Sequence, residues 1–408
     1  MTLYEELKWR GLIKDVTSPE LENKLNNEKL TFYIGTDPTA DSMHIGHYSS
    51  FLIAKRLAKA GHKPLLLIGG ATGRIGDPRP TTEREMKSIE EIEKNTKNLK
   101  KQAEEIFGFE VVDNYDWIKN INIIEFLRDY GKYFNINYML DKDIIRRRLE
   151  TGITFTEFSY MLLQSLDFLH LHETRGVNLQ VAGSDQWGNI TSGVDLIRKK
   201  LGDEVYAFTM PLILDQNGKK FGKSEGNALW LDKNKTSSYE LYQYLINTDD
   251  SMIESYLKVF TFLSPEEIMD IVSKHNNEPH LRLGQKTLAR EIITDLHGKE
   301  EYEKAVQISE NLFSGNIKEI NVNDLMIGLK DVPHFILKDE SLLDLLVNNN
   351  ICSSKREARE FLGNNAISVN GEIVNDENMF IDKTKTIEGK IVVIRRGKKK
   401  YYVGLVEE

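Results

Sequence analysis

The sequence predicts an α/β fold in its first half, built on a doubly wound parallel sheet, followed by an all-helical region and a small α+β unit. Three observations lead to this prediction: a strand–loop–helix–strand order within residues 30–68, a helical pattern after residue 237, and paired turn dipeptides near the C-terminus. A chain of 408 residues is too long for one ordinary core, so two or three domains are expected.

Composition narrows the class of protein. Hydrophobic residues make up 40% of the chain and charged residues 29%, which is typical of a globular enzyme, and the formal net charge is -9. The single cysteine, Cys352, excludes a disulfide framework and a four-cysteine zinc site within one chain. The N-terminus lacks the apolar core of a signal peptide and no apolar run could span a bilayer, so we expect a cytoplasmic protein without a membrane anchor.

In the first half, apolar runs and helical spacing predict the elements in order. Strands are predicted at 30–34 and 64–68, joined by a helix at 44–59 in a βαβ unit. Helices follow at 86–107, 121–134, 156–172 and 189–200, with strands at 179–182 and 211–214. Alternating strands and helices indicate an α/β domain over residues 1–225.

The second half changes character. Residues 237–329 are helical in pattern, with a clear helix start at Ser264-Pro265, and residues 331–333 are predicted to be a linker. Beyond residue 342 we predict two helices, the second basic, and short strands with turns at Asn370-Gly371 and Glu388-Gly389. The predicted domains are therefore 1–225, 226–330 and 340–408.

A candidate site begins where the first strand ends, in YIGTDPTADSMHIGHYSS at 33–50. Ligands of open α/β sheets bind beyond the carboxyl ends of strands, and a helix N-terminus favours anions. His44 and His47 share one face of the first helical turn and could donate to phosphate oxygens. A lone pair of this spacing is more often a solvated helix start, and a zinc pair is a third possibility.

A second candidate site is GKKFGKSEGNALWL at 218–231. Its glycines and its cations Lys220 and Lys223 suit a loop that closes on a triphosphate. The alternative is an ordinary solvated, charged loop.

The helix at 156–172 carries a polar stripe on an otherwise apolar surface. Tyr160, Gln164 and Asp167 lie at i, i+4 and i+7, while most other faces are apolar, so the helix is expected to be buried. Buried polar groups need hydrogen-bond partners. Either neighbouring backbone supplies them, or the stripe lines a pocket and a ligand does.

The two motifs together resemble those of a known family. HIGH at 44–47 and KFGKS at 220–224 are similar to the HIGH and KMSKS signatures of class I aminoacyl-tRNA synthetases. The chain resembles the bacterial-type tyrosyl-tRNA synthetases over essentially its full length, through GGATGRIGDP, TGITFTEFSYMLLQSLDF, GSDQWGNI, INTDD and RRGKKKYY. Phe221-Gly222 replace the Met-Ser of the general signature, and RPTTER follows Asp77-Pro78 where relatives often carry a lysine.

The resemblance implies a Rossmann-like catalytic domain, a helical anticodon-recognition domain and a C-terminal RNA-binding domain. It implies ATP-dependent activation of L-tyrosine, transfer to the 3′ end of tRNA, a homodimer, and Mg²⁺ arriving with ATP rather than on a dedicated protein site. Tyrosine would be bound by Tyr33, Asp77, Tyr160, Gln164, Asp167, Gln180 and Gln186. The phosphates would be contacted by Thr39, His44, His47, Lys220, Lys223 and Ser224, and ATP otherwise by Gly46, Asp185 and Arg84.

The C-terminal unit is locally basic within an acidic chain, which suits RNA. The candidate RNA-binding residues are Lys355, Arg356, Arg359, Arg395, Arg396, Lys398, Lys399 and Lys400. A basic solvated tail is the alternative. For the whole chain three other functions remain open: a tryptophanyl-type synthetase, a nucleotidylyltransferase with a related H-x-G-H site, and a non-catalytic RNA-binding protein. Tyr33 and Asp167 favour a phenol over an indole.

Overall fold

The computed structural model describes residues 1–79, 82, 85–224, 227–397 and 400–407, with the backbone alone for Lys223, Ser224 and Asn227. Its packing divides the chain into two compact units. The first comprises Met1–Thr236 and Thr248–Leu288, and the second Ser237–Asn247 and Ala289–Glu408. The division into three domains at 225, 330 and 340 stays a prediction.

The helices are bounded as follows. In chain order they are α1 (Leu3–Trp9), α2 (Leu21–Asn27), α3 (Ile45–Lys59), α4 (Ile89–Phe107), α5 (Tyr115–Ile118), α6 (Ile123–Glu125), α7 (Ile136–Leu140), α8 (Asp143–Arg146), α9 (Phe155–Arg175), α10 (Trp187–Leu201), α11 (Ser238–Ile246), α12 (Ile253–Phe260), α13 (Pro265–Asn277), α14 (Leu283–His297), α15 (Lys299–Ser314), α16 (Val322–Gly328), α17 (Leu342–Asn348) and α18 (Lys355–Gly363). Among the described residues, no helix is both long enough and apolar enough to cross a membrane.

The strands are mostly short. They are β1 (Asp15–Val16), β2 (Thr31–Thr36), β3 (Lys63–Ile68), β4 (Glu110–Asp113), β5 (Leu179–Gly183), β6 (Tyr206–Met210), β7 (Lys223–Ser224), β8 (Asn227–Ala228), β9 (His334–Ile336), β10 (Glu340–Ser341), β11 (Ile367–Val369), β12 (Glu372–Ile373), β13 (Phe380–Ile381), β14 (Ile391–Arg396) and β15 (Lys400–Leu405).

The first unit is built on a six-stranded sheet of order β1-β6-β5-β2-β3-β4. All neighbours are parallel except β1, which runs antiparallel to β6. The chain proceeds from β2 to β4 in one direction and then returns to build β5 and β6 on the other side of β2. The topological switch point therefore lies between β2 and β5, where Tyr33 pairs with Gln180. This confirms the predicted doubly wound fold.

The second unit joins helices to a sheet of order β12-β11-β14-β15-β9. The predicted turns are confirmed: Asn370 and Gly371 connect β11 to β12 with φ of 50° and 90°, and Glu388 and Gly389 have φ of 51° and 70°. Ile391, Val393 and Val403 of this sheet share one apolar cluster with residues of α15 and α16.

Three predicted elements differ from the structure. The strand predicted at 211–214 is wrong: the strand is β6, and it ends before Pro211, which lacks an N–H to donate to a sheet. The helix predicted at 121–134 breaks into α6, a π-type turn at Phe126–Tyr130 and a 3-10 turn at Gly131–Tyr133. Ile124 and Leu127 are exposed, whereas Phe126, Tyr130 and Phe134 are partly buried against an apolar cluster of the first unit. The linker predicted at 331–333 is a turn inside the second unit, directly before β9.

Candidate active site

A cavity of about 440 Å³ lies at the switch point of the first unit. It brings together side chains and backbone from segments that are distant in the sequence. The predicted site residues that line it are Tyr33, Thr39, His44, Gly46, His47, Asp77, Tyr160, Gln164, Asp167, Gln180, Asp185, Gln186 and Lys220. For Lys223 and Ser224 the structure describes only the backbone, which forms β7. Arg84 lies outside the described residues.

The HIGH segment forms the N-terminus of α3 through a reciprocal arrangement of its two histidines. His44 is the N-cap, and its Nδ1 accepts from the Gly46 N–H at 3.1 Å, while Nδ1 of His47 accepts from the His44 N–H at 3.1 Å. Because both Nδ1 atoms accept, each neutral ring carries its proton on Nε2. A Cβ added at Gly46 would lie 2.8 Å from Cε1 of His44, so glycine makes room for this arrangement.

His47 is a neutral donor rather than a cation. Burial, and to a smaller extent the neighbouring His44, whose ring centroid is 4.0 Å away, lower its pKa from 6.5 to about 3. The N-terminus of a helix already carries a partial positive charge. A neutral Nε2–H can donate to an anion there without adding a full positive charge beside it.

The KFGKS segment lies directly against the HIGH helix. The Ile45 N–H donates to the Leu229 carbonyl at 2.8 Å, and the Leu231 N–H donates to the Met43 carbonyl at 2.8 Å. Gly222 has φ of 84°, and a Cβ there would collide with the side chain of Ile45. The backbone thus holds the two motifs together, although most of the first unit separates them in sequence.

The floor of the cavity carries two buried oxygen-bearing side chains, Tyr33 and Asp167. Both are almost completely buried, at 1% and 2% exposure. Among the described residues the Tyr33 hydroxyl has no hydrogen-bond partner. Asp167 accepts from Asn114 Nδ2 at 3.0 Å and from Trp117 Nε1 at 2.9 Å. A buried hydroxyl without a partner indicates that a ligand completes the site.

Burial also changes the acidity of these two groups. It raises the pKa of Asp167 from 3.8 to about 8, against the opposing effect of the Asn114 and Trp117 hydrogen bonds. It also raises the pKa of the Tyr33 phenol well above 10, and the charge of Asp167 adds to this. Tyr33 therefore stays a protonated donor at neutral pH.

A second group of acids and amides lines the cavity around Asp77. Its carboxylate accepts from Gln186 Nε2 at 2.8 Å and from Asn189 Nδ2 at 3.2 Å, so two of the predicted tyrosine-binding residues, Asp77 and Gln186, are in contact. Tyr160 donates instead to Asp37 Oδ2 at 2.8 Å. Gln164 and Gln180 both border the cavity, and Gln180 is 3% exposed.

Sequence reasoning missed five residues of this site, one of which is Asn189, the donor to Asp77. Asp37 accepts from Tyr160 and from Thr72 Oγ1, the latter at 2.7 Å, and both Asp37 and Thr72 line the cavity. Asn114 and Trp117 hold Asp167 from a segment 50 or more residues away. Asp37 stands within the stretch 33–50 and could have been found there. No local pattern identifies Asn114 or Trp117.

The predicted RNA-binding cations are partly engaged within their own unit. Lys355 pairs with Asp344 at 2.6 Å, and Arg359 with Glu377 at 2.5 Å. Arg396 donates to the Ile351 carbonyl and lies 5.2 Å from the ring centre of Phe361. Arg356 and Lys400 are exposed, Arg395 is half-buried, and Lys398 and Lys399 lie outside the described residues. Cys352 is buried at 1% exposure, as a structural residue would be.

Comparison with known proteins agrees with this geometry. The family model of class I tRNA synthetases (W and Y) matches residues 25–314, and that of the tyrosine–tRNA ligase SYY-like C-terminal domain matches residues 324–404. A tyrosine–tRNA ligase of Listeria monocytogenes serotype 4a is 49% identical over 99% of both chains. One from Macrococcus caseolyticus is 50% identical over 98% of both chains.

Solved structures give the same result. A C-terminally truncated mitochondrial tyrosyl-tRNA synthetase of Aspergillus nidulans is 34% identical, with a TM-score of 0.67 over 76% of this chain and 94% of that one. A tryptophanyl-tRNA synthetase of Encephalitozoon cuniculi, 16% identical with a TM-score of 0.55 over 74% of this chain and 87% of that one, shares the fold. The chain belongs to the class I aminoacyl-tRNA synthetases and, within them, to the family of bacterial-type tyrosyl-tRNA synthetases.

Proposed function

We infer that this chain is a tyrosine–tRNA ligase that forms tyrosyl-adenylate and pyrophosphate from L-tyrosine and ATP, and then transfers tyrosine to the 3′ end of its tRNA. The observation that carries this is the cavity itself. It is lined by the buried pair Tyr33 and Asp167, by the N-terminal turn of α3 and by Lys220, an arrangement that suits a phenol at one end and phosphates at the other. Relatives that are 49% and 50% identical over nearly their full length support the same activity.

At the amino-acid end, Asp167 accepts the hydrogen bond of the substrate's phenolic hydroxyl and Tyr33 donates to that hydroxyl. Phenylalanine would leave both groups buried without this partner, which costs affinity. Tyrosyl-tRNA synthetases are themselves the known example of this kind of selectivity against phenylalanine, which needs no editing step. Asp77, Tyr160 and Gln164 bind the substrate ammonium, with Gln180 and Gln186 beside them.

At the ATP end, the substrate carboxylate attacks the α-phosphorus, and no protein nucleophile is required. Charge moves onto the pyrophosphate leaving group, so catalysis rests on positioning and on donors aimed at the phosphates. His44 and His47 supply Nε2–H donors, that of His47 from a neutral ring, and Lys220 supplies a cation from the cavity wall. By likeness to the family, Thr39, Lys223, Ser224 and Arg84 join them, Gly46 faces adenine, and Asp185 binds the ribose.

We propose that Mg²⁺ enters with ATP. Among the described residues no group of three or more His, Cys, Asp or Glu is arranged to hold a metal ion. Mg²⁺ commonly keeps several waters and binds substrate phosphates, so it would neutralise the charge of the triphosphate here.

We propose a homodimer that works in the cytoplasm, where tRNA is charged. Exposed large apolar side chains concentrate between the end of α5 and the first residue of α9, where a second copy could cover them. They are Ile123, Ile124, Leu127, Ile136, Tyr138, Leu149 and Phe155. Sedimentation of the wild type should give twice the chain mass, and Leu127→Glu with Phe155→Glu should give the monomer.

Tyrosine-dependent ATP–pyrophosphate exchange without tRNA tests the function. We expect exchange with tyrosine and far less with phenylalanine or tryptophan. Lys220→Ala should lower kcat, whereas Tyr33→Phe should weaken the discrimination against phenylalanine. Exchange with tryptophan alone would favour the tryptophanyl-type alternative, and absence of exchange with every amino acid would contradict the proposal.

A further inference from the structure

Phe221, in the middle of the KFGKS segment, packs into aromatic side chains of α12. Its ring centroid lies 4.8 Å from that of Tyr256 and 4.6 Å from that of Phe260, and the Phe221 side chain is 5% exposed. Tyr256 and Phe260 contact each other edge to face at 5.7 Å. We refer to Tyr256 and Phe260 as the α12 platform.

The α12 platform also contacts the HIGH helix. The ring of Phe260 stacks on that of Tyr48 at 6.4 Å with an interplanar angle of 4°, and Tyr48 directly follows His47 in α3. The ring of Phe260 therefore packs on Phe221 of KFGKS and on Tyr48 of the HIGH helix. A displacement of Phe260 would move both segments.

Hydrogen bonds attach the rest of the loop to the same platform. The Tyr256 hydroxyl donates to the Leu214 carbonyl at 2.9 Å, at the start of the turn that leads into KFGKS. The Phe221 N–H donates to the Ile213 carbonyl at 2.9 Å, and Leu214 pairs with Lys220 in a β-bridge. The platform thus holds both ends of the segment 214–221.

The end of α12 is itself anchored, partly to α3. Arg56 of α3 is buried and donates to the carbonyls of Thr261 and, at 3.4 Å, Val259. Arg10 donates to the carbonyls of Lys258 at 2.9 Å and Leu263 at 2.6 Å. Two of these carbonyls, of Lys258 and Val259, belong to the last turn of α12, where backbone acceptors lack helical partners. The bonds from Arg56 attach the end of α12 to the helix that carries the histidines.

We propose that Tyr256 and Phe260 are positioning residues for tyrosine activation: they hold KFGKS against the HIGH helix so that its cations meet the phosphates in the correct geometry. Neither residue lines the cavity in the part of the chain that the structure describes. They act through Phe221 and the backbone of residues 213–222. The inference rests on the proposed function, because it concerns the first step of that reaction.

Steady-state ATP–pyrophosphate exchange tests this with Phe260→Leu, Phe221→Leu and the double variant. A displacement on the order of 1 Å can cost about 100-fold in rate, so we expect kcat to fall by roughly 10- to 100-fold in each single variant. KM for tyrosine should stay within about twofold, because Tyr33 and Asp167 are not part of this packing. The double variant should lose no more than the larger single loss, because both residues act through one contact.

Two further variants separate positioning from general packing. Tyr256→Phe keeps the ring and removes only the hydrogen bond to Leu214, so it should lower kcat without unfolding the chain. Phe107→Leu is the matched control: Phe107 is a buried ring that also packs on Tyr48, at 6.5 Å, but on no KFGKS residue in the described structure. It should leave kcat close to the wild-type value.

The outcomes distinguish the two proposals. If wild-type protein does not exchange with tyrosine, the proposed function itself fails. If the wild type is active, the positioning role is overturned by unchanged kcat in Phe260→Leu, by equal losses in Phe107→Leu, or by losses that multiply in the double variant. A fall in kcat at constant KM for tyrosine, with non-additive losses, supports it.

Discussion

Asp167 is a carboxylic acid buried at the floor of the cavity, where burial disfavours its ionised form. It has two fixed donors, Asn114 and Trp117, but these only partly offset the effect of burial, and its pKa remains about 8. In the proposed binding mode a hydrogen bond from the substrate phenol would stabilise the ionised form, so tyrosine binding would be coupled to loss of this proton.

The coupling predicts the pH dependence of tyrosine binding. Below its pKa of about 8, Asp167 is protonated and must lose the proton before it accepts from the phenol. KM for tyrosine should therefore fall as pH rises from about 6 to 8, by at most about tenfold per unit, and level off above that range. Exchange assays across this range measure it.

Tyr33→Phe is the control for that profile, because it removes a hydroxyl but no group that titrates there. It should raise KM for tyrosine and keep the same pH dependence, whereas Asp167→Asn should abolish the dependence. A flat profile in the wild type would contradict the elevated pKa.

His47 should remain neutral throughout the working range. Its pKa is lowered from 6.5 to about 3 by burial, so its ring should not titrate between about pH 5 and 8 in the folded protein. ¹⁵N-histidine NMR checks this, with His47→Asn to assign the signal. A His47 resonance that moves with a midpoint near the ordinary histidine pKa would show the contrary.

The same residue has a consequence for stability. In the unfolded chain the histidine protonates below about 6.5, while the folded ring stays neutral. Stability is therefore lost as pH falls below that value, by up to about 1.4 kcal/mol per unit from this group alone.

At the scale of elements, the buried ion pair of Arg148 and Glu157 fixes the start of α9 to the loop that follows Asp77. Their side chains are 5% and 2% exposed and meet at 3.0 Å. Arg148 also donates to the carbonyls of Arg79 at 2.9 Å, Thr82 at 3.1 Å and Gly152 at 3.1 Å.

Replacing Arg148 by Met removes these donors and the ion partner of a buried carboxylate. We expect the free energy of unfolding to fall by about 3–5 kcal/mol in chemical denaturation. The exposed neighbour Arg146, replaced by Met in the same way, should change it by less than about 1 kcal/mol. Equal losses in the two variants would mean that the buried pair has no special importance.

Element type was largely predictable, and element ends were less so. The sequence predicted α9 correctly because its polar residues Tyr160, Gln164 and Asp167 recur at helical spacing among apolar residues that the fold buries. Periodicity predicted one helix at 121–134, where the chain forms three shorter turns although Phe126, Tyr130 and Phe134 pack against an apolar cluster. Among site residues, those inside motifs were found, whereas Asn114 and Trp117 were not, because their role depends on a contact made only in the folded chain.

At the scale of the whole molecule, we propose that the exposed basic residues of the second unit contact RNA and take no part in the activation chemistry. Arg356 and Lys400 are exposed on this unit, and KM for tRNA should rise when both are replaced by Gln. If each contacts one phosphate, the slope of log KM against log salt should decrease by up to about two. Aminoacylation at several salt concentrations measures this.

Lys97→Gln with Lys100→Gln is the matched control, since both are exposed cations on α4 of the first unit. These changes should leave the salt dependence and tyrosine-dependent exchange unaltered. A loss of exchange in Arg356→Gln with Lys400→Gln would argue against a role confined to RNA.

The antiparallel edge strand β1 has a consequence for synthesis on the ribosome. Asp15 pairs with Thr209 and is hydrogen-bonded to its side chain, across a sequence separation of 194 residues. At translation rates of about 5–20 residues per second, β1 must wait roughly 10–40 s for its partner strand to emerge. The first segment of the nascent chain is therefore among the last to join the sheet, and until β6 emerges the backbone of β1 lacks its sheet partner and is accessible to a chaperone.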